Sequence, residues 1–178
     1  MKTGKQLAEC AMLSGWDKFT YSHLDCQAFV EIVLKEIGVR KKDGSVYNWK
    51  GSNSMYRNYY SWRGTKEECI NKFGKIPIGA FVYIWKETGD DYHDGLGNFN
   101  HVGIYCGNNI VRDSTRSTKT GRDGVGTRSI KDFTHVSLFS GIDYTEQDIY
   151  TDSDEIDEII DRIISEVSKL RNYIKGRQ

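Results

Sequence analysis

The spacing of apolar residues changes along the chain, from helical to strand-like and then to heptad-like. Between Thr3 and Leu13, Leu7 and Ala11 share one face of a predicted short helix, and Thr3 is placed to cap it. A stronger helix is predicted from Cys26 to Ile37. There Phe29, Val30, Val33, Leu34 and Ile37 form one stripe, Asp25 stands at the N-cap and Gly38 takes the C′ position. This stripe marks the central core helix. Residues 39–65 mix turn-formers with Tyr47, Trp49, Tyr56, Tyr59, Tyr60 and Trp62, which predicts a loop that packs its own rings or lines a groove. Glu67 to Phe73 reads as another short helix.

The period then shortens. Pro77-Ile78-Gly79 precedes Ala80-Phe81-Val82-Tyr83-Ile84-Trp85, a run typical of a buried strand. Residues 87–100 are acidic and glycine-rich and predict a loop. A calcium-loop reading of 90–101 fails, because Tyr92 and His101 stand where oxygen ligands belong. His101 to Cys106 is the next predicted strand, Gly107-Asn108-Asn109 a turn, and Ile110 to Asp113 the returning strand, with a further strand at Val136 to Phe139. Helices followed by a strand meander predict an α+β domain with an antiparallel sheet packed on the Cys26 helix.

From Glu155 onward the pattern changes again. Ile156, Ile160, Ile163, Val167, Leu170 and Ile174 recur at alternating spacings of four and three, a coiled-coil-like seam that Ile159 and Ile164 widen. Acidic residues lead this segment and basic residues end it, which suits the helix dipole. The expected organisation is a domain over 1–146 and an acidic linker with an amphipathic helix over 147–178, with homo-oligomerisation through residues 155–175 as the expected use of the seam.

Composition narrows the functional classes. The 178 residues carry 25 basic and 25 acidic side chains, so nothing favours electrostatic capture of nucleic acid. No stretch approaches the roughly 18 apolar residues of a membrane span, and the N-terminal residues do not read as a signal peptide. Synthesis in the cytoplasm is the expectation. Cys10, Cys26, Cys69 and Cys106 show no C-x-x-C spacing, so free thiols are expected rather than disulfides or zinc, and no metal or other cofactor is called for.

A cysteine attacks carbonyl carbon as the thiolate, so a catalytic cysteine needs a device that favours the anion. Cys26 follows the cap residue Asp25, at the positive end of the core helix, where first-turn N–H groups could also receive an oxyanion. Its ordinary reading is a small buried hydrophobe at a helix start. Among His23, His93, His101 and His135, His101 opens a strand and is held by a rigid element; His135 stands in reserve, and His23 is near in sequence but sits in a loop. Asp113 on the following strand could orient the base. A two-residue Asn108-Asn109 turn would send Asp113 to the face opposite His101, whereas an odd turn centred on Gly107 would set the two directly across from each other.

The segments Leu24-Asp25-Cys26-Gln27-Ala28-Phe29-Val30, Pro77-Ile78-Gly79-Ala80-Phe81-Val82 and His101-Val102-Gly103-Ile104-Tyr105, in this order, resemble the NlpC/P60 cell-wall peptidases. In that family an Asp-Cys-Ser-Gly-Phe-Val motif opens the nucleophile helix, a His-Val-Gly-Ile-Tyr strand carries the base, and a third polar residue follows at the position of Asp113. The likeness spans residues 5–145 and excludes the tail. It implies a papain-like α+β domain in which Cys26, His101 and Asp113 cleave peptide bonds of peptidoglycan stems, between γ-D-glutamate and a diamino acid. It also implies substrate contacts from Asp25, from Gln27 in place of the family serine, and from Tyr21 as the counterpart of a family tyrosine. Without a leader, and with a coiled-coil tail, such a chain is similar to phage or prophage lysins and tail-associated wall hydrolases that act at the bacterial cell wall. The competing expectations are an N-acetylmuramoyl-L-alanine amidase of the related CHAP type, and a non-catalytic binding or assembly module displayed by an oligomerising helix.

Overall fold

A computed structural model describes residues 1–89, 92–118, 121–145 and Ile164. The chain divides into two units, Met1–Gln147 and Asp148–Gln178. Of the second, only Ile164 is described, and the heptad seam and its oligomerisation lie outside the described residues.

The first unit begins with a short strand β1 (Lys2–Thr3) and helix α1 (Gly4–Ala11). Thr3 and Gln6 form a reciprocal capping box, so the expected cap is present and the helix ends two residues earlier than its apolar pattern suggests. Helix α2 (Cys26–Glu36) follows, capped by Asp25, whose Oδ1 accepts from the Ala28 N–H at 2.8 Å. Such a cap is worth about 1 kcal/mol. Phe29, Val30, Val33 and Leu34 are buried, and Gly38 has the left-handed φ of 82° that stops the helix.

Next come α3 (Ser52–Arg57), β2 (Tyr60–Thr65) and α4 (Lys66–Phe73), then strands β3 (Phe81–Lys86), β4 (Asn98–Tyr105), β5 (Ile110–Ser117), β6 (Arg122–Ser129), β7 (His135–Phe139) and β8 (Ile142–Asp143). One sheet has six strands in the order β2-β7-β3-β4-β5-β6, all neighbours antiparallel, and β1 pairs with β8 in parallel. The molecule is thus α+β, as its pattern predicts.

Both faces of the sheet are covered, which explains why β3 reads as an unbroken apolar run. Phe81 and Tyr83 join Val102 and Ile104 in a core with Leu7, Ala11 and the α2 stripe. Val82 instead joins Val111, Phe133, Val136, Leu138 and Cys69 of α4 in a second cluster. Phe29 and Val30 are fully buried, and each such side chain contributes about 1.5–3 kcal/mol. Among the described residues no helix is long and apolar enough to cross a membrane.

Three segments differ from expectation. Residues 39–65 are not one loop, because they contain α3 and β2. The α3 sequence opens on Ser-Asn-Ser and has no helical apolar period, and tertiary bonds hold it: Ser52 Oγ donates to the Phe99 carbonyl at 2.6 Å, and Asn53 Oδ1 accepts from Phe99 N–H at 2.7 Å. Trp49 and Tyr56 are buried, with Tyr47 stacked on Trp49 at 5.3 Å and Tyr56 on Phe99 at 3.6 Å, whereas Tyr59 and Tyr60 are exposed. The loop expected over 87–100 ends earlier, since β4 begins at Asn98. Strand β6, Arg-Asp-Gly-Val-Gly-Thr-Arg-Ser, was not anticipated at all, because its single large apolar residue gives no alternation; it forms by pairing along the whole of β5.

Candidate active site

The N-terminus of α2 is held against the sheet by the loop that leads into it. Ser114 Oγ of β5 donates to the Leu24 carbonyl, Asp123 of β6 accepts from the Tyr21 N–H at 3.1 Å, and Val125 N–H donates to the Phe19 carbonyl at 3.3 Å. Gly124 makes that last approach possible, since a Cβ there would lie 2.0 Å from the Phe19 oxygen. The β5–β6 hairpin is therefore the platform on which the segment preceding Cys26 rests.

Strands β4 and β5 pair only at Ile104↔Arg112 and Tyr105↔Val111. The connection closes with Ile110 N–H donating to the Gly107 carbonyl and Cys106 N–H to the Ile110 carbonyl. Its turn is Gly107-Asn108-Asn109, all three with positive φ. The turn is odd, which puts Asp113 on the face of His101, but its centre is Asn108 and not Gly107. Asp113 consequently faces Gly103 and reaches His101 along the diagonal. Gly103 leaves that diagonal open, because a Cβ at this position would meet the Val111 Cγ1 at 2.5 Å and the Asp113 Cβ at 3.0 Å.

Across the opening, His101 Nε2 and Asp113 Oδ2 are 2.6 Å apart, with Asp113 fully buried and His101 nearly so. Cys26 lies close enough to His101 to raise the pKa of its imidazole, and Nδ1 is the ring nitrogen that Asp113 leaves open. Burial alone would pull the His101 pKa down. The hydrogen bonds to Asp113 and Cys26 and the charges of both outweigh it and raise the value to about 9. The imidazole thus holds its second proton at neutral pH. The Phe133 ring lies beside it, with centroids 6.1 Å apart.

Tyr21 also reaches the cysteine. Burial first, then the charges of Cys26 and Asp25 and a hydrogen bond to Cys26, push its phenol up to about 12, so it remains a neutral donor. The Arg116 guanidinium lies 5.8 Å from the Tyr21 ring. Of the sequence-predicted residues, the structure therefore gathers Tyr21, Asp25, Cys26, His101 and Asp113. The Gln27 side chain is bonded within the protein. Its Nε2 donates to Glu31 Oε1 and to the Trp49 carbonyl, both at 2.7 Å, and its Oε1 accepts from Gly51 N–H. The amide braces α2 against the segment that follows it, because that segment's backbone passes within reach.

The other histidines stand apart. His23 is exposed and bonded to Thr20 Oγ1 at 2.7 Å. His135 pairs with Tyr83 and packs among Tyr56, Trp85 and Phe99, where burial lowers its pKa. All four cysteines are free thiols, and burial raises Cys10, Cys69 and Cys106, the last two to about 12. Sequence reasoning missed Arg122 and Arg128, both of β6, which stand at Asp113: Arg122 Nη2 donates to Oδ1, and Arg128 Nη1 lies 3.6 Å from Oδ2. Only the glycines at alternate positions, Gly124 and Gly126, could have signalled a strand crossing close to other backbone. No protein-family model matches the chain, and no curated protein matches it either.

Proposed function

We propose that this chain is a papain-like cysteine peptidase of the NlpC/P60 type, hydrolysing γ-D-glutamyl–diamino acid bonds in bacterial peptidoglycan stems. One observation carries the proposal: His101 bonds the buried Asp113 carboxylate through Nε2 and lies beside Cys26, which opens α2. Cys26 opens a capped helix, where the dipole favours an anion. The motif resemblance around Cys26, Phe81 and His101 supplies the substrate class.

In this reading Cys26 attacks the amide carbonyl carbon, and the N–H groups of Cys26 and Gln27, ahead of the capped Ala28, receive the oxyanion. His101 holds the thiol proton and delivers it to the leaving amine as the C–N bond breaks. A water then adds to the thioester, losing its proton to His101, and the acid leaves with Cys26 restored. Asp113 keeps the ring oriented through both steps, and Tyr21 and Asp25 flank the substrate.

Digestion of purified peptidoglycan by the wild type and Cys26→Ala, followed by mass spectrometry of the soluble products, tests the proposal. Stem fragments ending in γ-D-glutamate from the wild type alone are expected. Intact stem peptides would instead identify an amidase, and the absence of any Cys26-dependent product would leave a binding module.

A further inference from the structure

The Asp113 carboxylate lies between glycines on both neighbouring strands. Gly103 of β4 faces it on one side, and Gly126 of β6 is its register partner on the other. The first gap admits His101. Into the second falls the side chain of Arg122, which folds back along its own strand: a Cβ at Gly126 would meet Arg122 Cδ at 2.8 Å and Nη1 at 2.9 Å. The guanidinium is anchored there by Nη1 donating to the Thr127 carbonyl at 2.9 Å, while Nη2 donates to Asp113 Oδ1. His101 takes the other oxygen, Oδ2.

We propose that Arg122 is a positioning residue that fixes the Asp113 carboxylate by Oδ1, so that Oδ2 is presented to His101 and through it to Cys26. A fully buried carboxylate is costly without a hydrogen-bonded counter-charge, and one removed from its partner seeks another. That other is at hand. Arg128 Nη1 stands 3.6 Å from Oδ2, on a guanidinium already held by Asp132 at 2.8 Å and lying over Phe133. Without Arg122 the carboxylate turns to Arg128 and leaves the imidazole. Among the described residues, Cys26 of α2, Asp113 of β5, Arg122 and Arg128 of β6 acting through Asp113, and Tyr21 and Asp25 acting through Cys26 are the charged and titratable groups around His101.

The inference rests on the reading of Cys26, His101 and Asp113 as a catalytic set, but its test needs no substrate. Titration of the His101 ring by NMR is expected to show a pKa near 9 in the wild type. In Arg122→Ala the loss of the Asp113 bond removes the largest interaction that opposes burial, and the value drops well below that of the wild type. Arg122→Lys keeps an anchored cation and retains most of the elevation. Asp113→Asn shows the same drop as Arg122→Ala, and the double variant drops no further. If Arg122→Ala does not fold, Arg122→Met, which keeps the stem without donors, is read in the same way. A His101 pKa that is unchanged or higher in these variants would overturn the proposal, because simple loss of a nearby positive charge raises it. Peptidoglycan left intact by a protein whose His101 titrates as described would count against the function and not against the role of Arg122.

Discussion

Replacement of Gly103 by alanine puts one methyl group into the gap through which His101 and Asp113 meet. The new Cβ would stand 2.5 Å from Val111 Cγ1, 3.0 Å from Asp113 Cβ and 3.1 Å from the Arg112 carbonyl oxygen. Two of these contacts are with groups close to the backbone, which cannot swing aside. The strands must part where β4 and β5 are joined by only the Ile104 and Tyr105 pairs. Overpacking of this kind costs about 1–3 kcal/mol, and alanine recovers about 0.5–1 kcal/mol over glycine in a strand. The net is a destabilisation of up to about 2.5 kcal/mol, or up to roughly 10 °C in Tm for a domain of this size. The functional loss is larger. A shift on the order of 1 Å between catalytic groups can cost on the order of 100-fold in rate. Thermal unfolding and peptidoglycan turnover, measured side by side, check both figures. Gly15→Ala is the control, since nothing lies within 4 Å of a Cβ there. Wild-type rate and Tm in Gly103→Ala would refute the diagonal geometry.

Two further outcomes follow from the same site. The His101 pKa is raised from 6.5 to about 9, so its stabilising contribution is complete below pH 6.5 and disappears as pH rises through the folded value. Stability should therefore fall between these limits by up to about 3 kcal/mol, as followed by denaturant unfolding at a series of pH values, and Asp113→Asn should flatten the curve. Gln27→Ala leaves the Trp49 carbonyl and the Gly51 N–H without their partner and should cost about 1–3 kcal/mol of stability with KM unchanged. A raised KM at unaltered Tm would return Gln27 to the substrate.

What the sequence made legible is what local rules govern. The α2 stripe, its Asp25 cap and its Gly38 stop all agree, and they place Cys26 at the first helical position without tertiary information. His101 and Asp113 could be assigned to successive strands, but their register could not be fixed. Gly107, Asn108 and Asn109 all tolerate positive φ, so the composition of the turn does not locate its centre. Strand β6 and helix α3 were invisible for another reason. Their residues are mostly polar or glycine, with no apolar period, and their conformations are stabilised by distant partners, β5 and Phe99 respectively. The internal bonds of Gln27 are not legible in the sequence, because its partners, Trp49 and Gly51, are remote along the chain and contribute backbone atoms.

Cys26 alone among the free thiols is expected to be activated, and His101 to activate it. Limited alkylation with iodoacetamide near neutral pH, followed by peptide mapping, addresses both parts. Cys26 should be modified first, and its reaction should slow by at least an order of magnitude in His101→Ala, while Cys10, Cys69 and Cys106 stay unmodified. Preferential labelling of Cys106, or a Cys26 rate indifferent to the loss of His101, would contradict the assignment of Cys26 as nucleophile and His101 as base.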